Sequence, residues 1–192
     1  CPMMGMGYST EECATWPGMR PKDSAGGEED IAFAKQLMAD AGFPDGFETH
    51  YDARLTGKYD EFCQVIKQQL KDTLGITGDL TSHESAAGYA LYGTSRPEDA
   101  VGNWQLSCQA EGMTIIDADA LMGGVYLTGG TRNYTNWEPA LVREKYELQK
   151  VEQDVDVRRD ILKEIEDWLV PTDVNDLSKG YSDNHWVTQV WA

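Results

Sequence analysis

The sequence predicts an α/β fold in which a mixed, largely parallel sheet is flanked by helices. Residues 47–55 alternate between apolar and polar side chains, which is the period of a half-exposed strand. Residues 59–74 have apolar side chains at helical spacing and are followed by Gly75, and residues 76–80 have the pattern of a second strand. A strand, a helix and a strand with short connections form a right-handed βαβ unit, so these two strands should be parallel.

The other elements follow from the same periodicities. Residues 28–41 have helical spacing, with acidic residues in the first turn and Gly42 after the last. Residues 104–108 alternate and predict a third strand, and a short helix is expected near residues 117–122. Two further helices are predicted, one beginning at Pro139 and one with a buried face over residues 157–169 that Asp154 or Asp156 caps.

The length of 192 residues favours one domain and permits two at most. The predicted domain has an arm at each end. Residues 1–27 are rich in Gly, Met and Pro and predict an extended arm with turns, one of them at residues 25–27. Residues 28–170 form the predicted α/β lobe. Residues 171–192 are predicted to form an edge strand or a docked arm.

The charge balance excludes two classes of partner. The chain has 16 Lys and Arg against 33 Asp and Glu, a net charge of −17, so nucleic acid and anionic membrane surfaces would be repelled. No run of 18 apolar residues is present and no signal-peptide pattern begins the chain, which predicts no direct membrane insertion. Because the chain starts with Cys1 and Pro2, we expect a processed or truncated protein.

The cysteines leave their oxidation state open. They are even in number but irregularly spaced, without a CxxC pair, at Cys1, Cys13, Cys63 and Cys108. The three histidines have no ligand-like spacing with them, so no metal site or cofactor is predicted. One disulfide with Cys1 or Cys13 at one end and free buried thiols are equally compatible with this pattern.

One segment points to a family. Residues 35–47, KQLMADAGFPDGF, resemble the segment AKxLLxEAGYPDGF of the family 5 extracytoplasmic solute-binding proteins, which are the peptide- and nickel-binding receptors of ABC importers. Four later segments are similar to family motifs in the same order: residues 68–76, 104–122, 133–139 and 152–169. The resemblance therefore covers about residues 19–169 in one register.

The resemblance implies a fold and a function. Receptors of this family have two lobes around a cleft, and the chain resembles the C-terminal lobe, a periplasmic-binding-protein-like (type II) lobe. The implied function is binding of a small solute, a peptide or an oligosaccharide, for an ABC transporter permease. The N-terminal lobe would come from the same gene or from a separate chain. The implied location is periplasmic or extracytoplasmic, held at the membrane by the lipid anchor of a full-length lipoprotein.

The resemblance also implies which residues face the cleft. They lie at the end of the third strand, in the loop after it and in the later aromatic loop: Cys108, Glu111, Met113, Thr114, Asp117, Arg132, Tyr134 and Trp137. Two of them depart from the family, because Glu111 stands where Trp is frequent and Thr114 where peptide binders carry an Asp for the ligand's amino terminus. A buried ammonium without a carboxylate is costly, so Thr114 counts against recognition of a free amine.

Some of these residues also fit roles other than ligand contact. Asp117 is a better helix cap than a ligand contact, and Asp117 with Asp119 lacks the further carboxylate and the turn Gly of a calcium loop. Tyr134 and Trp137 could pack under their loop, whereas Arg132 could grip a carboxylate.

Catalysis finds little support in the sequence, and the chain is predicted not to be an enzyme. GxSxG and HExxH are both missing. The alternatives to a receptor are a structural subunit of a larger complex built from a receptor lobe and, more weakly, a carbohydrate hydrolase that uses Glu111 with Asp117.

Overall fold

The computed structural model of the chain describes residues 5–92, 104–108, 115, 117–134, 138 and 140–169. In these residues the helices are α1 (Thr10–Cys13), α2 (Ala25–Asp40), α3 (Tyr59–Leu74), α4 (Ser85–Tyr92), α5 (Ala118–Val125), α6 (Ala140–Val151) and α7 (Val155–Leu169), and the strands are β1 (Glu48–Arg54), β2 (Thr77–His83) and β3 (Leu106–Cys108). The described residues fall into two compact units. The sheet unit contains residues 20–92 and 104–108, and the helical unit contains residues 5–19 and the described residues from 115 onward.

The sheet of the sheet unit has the strand order β2-β1-β3, and both neighbours pair with β1 in parallel. The β1–β2 register runs from Glu48 opposite Thr77 to Arg54 opposite His83. The shorter β3 joins the other edge of β1, with Ala53 opposite Cys108. The prediction of a βαβ unit with parallel strands is confirmed.

One face of β1 packs on α3. Tyr51 and Ala53 are fully buried there with Cys63 of α3. Partly buried side chains from α3, β2 and β3 surround them: Leu70, Leu80, Leu106 and Cys108. Tyr51 and Ala53 are the residues that the alternating pattern assigns to the apolar side of the strand.

Helix α3 begins and ends where the sequence predicts. Its C-cap is Gly75 in the left-handed region at φ 72, and the Gly75 N–H donates to the carbonyls of Leu70 and Lys71. Glycine adopts this conformation without the strain that a side chain would add. The turn therefore delivers the chain directly into β2.

The second strand and the polar side of the first differ from the prediction. β2 continues to His83, three residues past the predicted end, because its backbone stays paired with β1. The prediction that the polar side of β1 is exposed is wrong at the end of the strand, where Asp52 and Arg54 are 3% and 6% exposed. Helix α4 packs against this second face: a Cβ at Gly88 would lie 2.4 Å from Arg54 Cγ.

The start of α2 is also earlier than predicted. Residues 25–27, expected as a turn, are the first turn of the helix, because the Ser24 hydroxyl accepts a hydrogen bond from the Gly27 N–H at 3.0 Å and caps it. Within the predicted extended arm, α1 forms one helical turn with a capping box between Ser9 and Glu12. Local capping thus organises a segment that hydrophobic periodicity does not predict.

The helical unit has its own core, formed by α5, α6, α7 and the turn after α5. Its buried members are Ala118, Leu121, Met122, Val125, Tyr126, Leu127, Val142, Leu162 and Ile165. Asp154 caps α7 by accepting from the N–H groups of Asp156 and Val157 at 2.9 and 3.2 Å, one of the two predicted caps. Val157, predicted on the buried face, is instead 46% exposed.

In the described part of the chain, no helix is long and apolar enough to cross a membrane. The predicted tail, residues 171–192, lies outside the described residues.

Candidate functional site

The polar face of β1 forms the candidate site in the sheet unit. Side chains alternate along a strand, so His50, Asp52 and Arg54 share the face opposite Tyr51 and Ala53. Strand β2 contributes neighbours on the same face, because Asp52 is paired with Thr81 and Arg54 with His83.

Asp52 is the centre of this face. Its carboxylate accepts a hydrogen bond from His83 Nε2 at 2.6 Å, and His50 Nε2 lies 3.5 Å from the same oxygen. A buried carboxylate is expensive unless polar partners replace the lost water, and the two imidazoles supply them. The side chains grow more exposed outward, from 5% at Asp52 to 23% at His83 and 43% at His50.

We expect Asp52→Asn to lower the free energy of unfolding by about 1 to 3 kcal/mol, because a buried hydrogen bond to a charged acceptor is weakened. Urea unfolding followed by circular dichroism measures the loss. Asp79→Asn is the matched control, since Asp79 lies on β2 but is exposed, and its effect should stay within about 0.5 kcal/mol. Equal effects of the two substitutions would show that Asp52 is not the polar centre described above.

Arg54 ends the same row of side chains. Its guanidinium carbon lies 3.9 Å from the centre of the Tyr89 ring of α4 and 5.5 Å from that of Tyr59, which begins α3. Such cation–π contacts hold the planar group in one orientation. Among the described residues, Arg54 Nε and Nη1 are buried without a hydrogen-bond partner.

A cavity of about 410 Å³ opens over this face. Its lining residues come from β1, β2, α4 and the two residues directly before β3: His50, Asp52, Thr81, His83, Leu91, Trp104 and Gln105. Gln105 Oε1 accepts from the His50 N–H at 2.7 Å and from Thr49 Oγ1 at 3.1 Å, which fixes that wall to the edge of β1. A cavity with an aromatic wall and a few placed polar groups is suited to holding a small polar solute.

The structure offers no evident metal centre on this face. In the part of the chain that is described, no group of three or more His, Cys, Asp or Glu side chains is arranged to hold a metal ion. The described side chains of this face offer hydrogen bonding, charge pairing and aromatic contact.

Cys108, one of the predicted ligand-facing residues, lies at the end of β3 and forms a disulfide with Cys63 of α3. Its Cα is 5.5 Å from that of Cys63. The described cysteines, Cys13, Cys63 and Cys108, are all disulfide-bonded, so the free-thiol alternative is wrong for them. The bond ties the end of β3 to the helix beneath it, directly before the predicted cleft loop in the sequence.

Asp117 is confirmed as a helix cap. It is the N-cap of α5 and accepts from the Asp119 N–H at 2.8 Å. Its two carboxylate oxygens also accept from Arg158 at 2.6 and 3.0 Å, and these hydrogen bonds hold the pKa of Asp117 below its usual value. A carboxyl group with a lowered pKa is a poor general acid, so the pKa of Asp117 counts against that one role in glycoside hydrolysis.

Arg132 and Tyr134 are brought together in the turn region after α5. Arg132 Nη1 donates to the Tyr134 hydroxyl at 2.9 Å, and Tyr134 is 6% exposed. Tyr134 therefore packs under its loop, as the alternative to ligand contact predicts. Glu111, Met113, Thr114 and Trp137 lie outside the described residues.

Glu138 of the helical unit is a charged residue with several polar contacts that the sequence pattern does not indicate. It accepts two hydrogen bonds from Arg143, at 2.6 and 2.7 Å, and a further one from the Thr128 N–H. These contacts, those of Arg143 first, lower the pKa of Glu138 from 4.5 to about 2. The ionised form is thus favoured in the folded chain.

The lowered pKa of Glu138 predicts an acid-sensitive contribution to stability. A group with a depressed folded-state pKa stabilises the fold fully above its unfolded value and loses this effect as the pH falls toward its folded value. The melting temperature of wild type should exceed that of Glu138→Gln at about pH 6, and the difference should shrink between about pH 5 and about pH 2. Glu147→Gln, which removes a more distant and exposed partner of Arg143, is the control. A difference that does not change with pH would contradict the assignment.

The sequence pattern does not predict the cavity or its row of polar residues. A usable signal was present, since His50, Asp52 and Arg54 alternate on the central strand of a predicted parallel sheet. They were assigned to solvent because nothing in the strand pattern indicates that α4 covers them.

Comparisons with known proteins place the fold. No family profile and no curated protein matches the sequence. Solved structures similar to the chain include three binding proteins. A periplasmic oligopeptide-binding protein of an oligopeptide ABC transporter from Borrelia burgdorferi matches with a TM-score of 0.61 at 19% identity, and the murein tripeptide binding protein MppA of Escherichia coli with a TM-score of 0.62 at 16% identity. The ABC transporter-associated periplasmic binding protein DppA of Helicobacter pylori, solved with a peptide, matches with a TM-score of 0.59 at 16% identity.

The matches cover most of this chain but a minor part of the other proteins. The match covers 80% of this chain and 30% of the Borrelia burgdorferi protein, and 81% of this chain and 30% of MppA. For DppA it covers 93% of this chain and 35% of that protein. At these identities the likeness concerns the fold. The chain has a periplasmic-binding-protein-like α/β fold, with a small parallel sheet flanked by helices, and it spans about a third of the binding proteins that share this fold.

Proposed function

We propose that the chain is the C-terminal lobe of a two-lobed solute-binding receptor that serves an ABC importer. The observation that carries the proposal is the fold match: most of this chain superimposes on about a third of each of three binding proteins, two of which are named as peptide-binding and one of which was solved with a peptide. The chain would act by binding, since the structurally similar proteins are binding proteins. A second lobe would complete the cleft and close on the solute by a hinge.

The proposed ligand is a peptide or an oligosaccharide, held at the carboxyl edge of the parallel sheet. Ligands of open α/β sheets bind outside the carboxyl ends of the strands, and the end of β3 leads in the sequence into the predicted contacts Glu111, Met113 and Thr114. The disulfide of Cys108 supports this role, because a fixed strand end gives the following loop a defined starting point. Trp137 with Arg132 would supply an aromatic face and a charge.

The proposed location is periplasmic or extracytoplasmic, with a permease as the membrane partner. Disulfides persist in oxidising compartments, and the described cysteines are all disulfide-bonded. The matched Helicobacter pylori and Borrelia burgdorferi proteins are named as periplasmic. Membrane association would come from a lipid anchor on the full-length receptor.

Native mass spectrometry of the protein isolated from its source separates this proposal from the structural-subunit alternative. The receptor lobe should co-purify with a second lobe, covalently or as a separate chain, and cross-link to a transporter permease. Association with a stable complex that contains no transporter component would favour the structural role instead.

A further inference from the structure

We propose that the cavity over the polar face of β1 binds an ammonium group on an alkyl stem, such as a lysine side chain of a peptide solute. The proposal rests on the function proposed above and names the chemistry of one ligand group. The cavity reaches the carboxyl edge of the sheet through His83, the last residue of β2, and open α/β sheets place their ligands at this edge. Its volume of about 410 Å³ lies at the lower end of ligand pockets, which suits a single side chain.

The charge of the cavity lining favours a cation. Among the described residues that line it, Asp52 is the one acidic residue, and none is a lysine or an arginine. Asp79, paired with His50 in the register, adds an exposed carboxylate to the same face, whereas Arg54 contacts two tyrosine rings and is not part of the lining. A ligand that covers a buried carboxylate removes its remaining water, which is costly unless the ligand brings an opposite charge. A cationic group is therefore favoured over a neutral one, and an anionic group is repelled.

One oxygen of Asp52 is open to such a group. Both imidazole contacts are to Oδ1, which lies 2.6 Å from His83 Nε2 and 3.5 Å from His50 Nε2, and the imidazoles add positive charge only when protonated. Oδ2 has no hydrogen-bond partner among the described residues, and it is not one of their buried side-chain atoms that lack a partner. It can therefore accept a hydrogen bond from a ligand in the cavity. A bond between an ammonium and a carboxylate is about twice as strong as one between neutral groups.

The apolar part of the lining fits the alkyl stem that carries the ammonium. Trp104 and Leu91 line the cavity together with the polar residues. An edge-to-face contact with Tyr92, with 6.4 Å between the ring centres, positions the Trp104 ring. Methylene groups pack on such a wall while their charged end turns to a polar partner, and an indole face also attracts a cation. An alkylammonium uses both parts of the lining, whereas a bare inorganic cation would leave the apolar wall without contacts.

The test uses the full chain labelled with nitrogen-15 and two probes, Nα-acetyl-lysine N-methylamide and its norleucine analogue, which lacks the ammonium. The indole N–H signal of Trp104, assigned by its absence in Trp104→Phe, should shift in a saturable way with the lysine probe. The lysine probe should bind at least about fivefold more tightly than the norleucine probe, and Asp52→Asn should remove this preference. Asp72→Asn removes an exposed carboxylate of α3, the helix on the other face of β1, and should preserve the preference.

Three results would overturn the assignment: no saturable shift with the lysine probe up to about 50 mM, equal binding of the two probes, or an equal loss of preference in Asp52→Asn and Asp72→Asn. The comparison of the two probes on wild type needs no variant, so a loss of stability in Asp52→Asn does not affect it. Each of these results leaves the receptor proposal standing, since native mass spectrometry tests that proposal without reference to the cavity. Conversely, an Asp52-dependent ammonium site in a chain that associates with no transporter component would retain the site and remove its transport role.

Discussion

Removing the disulfide between Cys63 and Cys108 is expected to lower the free energy of unfolding of the sheet unit by about 4 kcal/mol. The two cysteines are 45 residues apart in the sequence, and a cross-link that closes a loop of this length restricts the unfolded chain by about that amount. In the folded state the bond joins α3 to β3, the shortest strand of the sheet, so its loss should loosen the β3 edge first.

The measurement is urea unfolding of the double variant Cys63→Ala and Cys108→Ala, with hydrogen exchange of the β1 amides to assign the loss to the sheet unit. Cys13 is also disulfide-bonded, so the double variant measured with and without reductant separates that bond from the one removed. A loss below about 1 kcal/mol would show that the cross-link contributes little to this unit.

Truncation of Ile165 to Ala should destabilise the helical unit by about 3 kcal/mol. Ile165 of α7 is 0% exposed and belongs to the cluster that also contains Met122 and Leu162. The substitution removes buried methyl and methylene groups and leaves a cavity, and both effects oppose folding.

Val157→Ala is the matched control for Ile165→Ala, because it shortens a β-branched residue of the same helix that is 46% exposed. Its effect should stay within about 0.5 kcal/mol. Both variants are compared with wild type by denaturant unfolding at one pH. Similar losses at the two positions would contradict the described orientation of α7.

The sequence predicted the elements whose signals are local. Helix α3 was predicted to its ends, because a helical apolar face and Gly75 lie within one short segment. The start of α2 lies before the predicted one although its signal is also local, since the Ser24 cap outweighs the two glycines in the first turn. Capping residues and periodicity have to be considered together at helix ends.

Features that depend on tertiary contacts were not predictable in the same way. The last residues of β2 are Thr81, Ser82 and His83, which form a strand because they pair with β1, not because of their own pattern. The burial of Asp52 and Arg54 depends on α4, a helix in a segment with weak periodicity. The pairing of Cys63 with Cys108 becomes evident only once α3 is known to pack on the face of the sheet where Cys108 of β3 lies.

The candidate site likewise contains one feature with a local sequence signal and another that depends on tertiary contacts. The role of Asp117 as a cap follows from its position before a short apolar helix, and the structure confirms it. The Asp52–His83 pair joins residues that are distant in the sequence, and the parallel register of β1 and β2 brings them together.

In the proposed receptor, the chain provides one wall of the ligand cleft and a second lobe provides the other. Isothermal titration calorimetry of the chain alone against a pool of tripeptides to pentapeptides tests this claim most directly. We expect binding no tighter than a dissociation constant of about 1 mM, because a half-cleft leaves most of the solute in water. One-to-one binding with a dissociation constant of about 1 μM or lower would contradict it, since the chain would then hold a complete site.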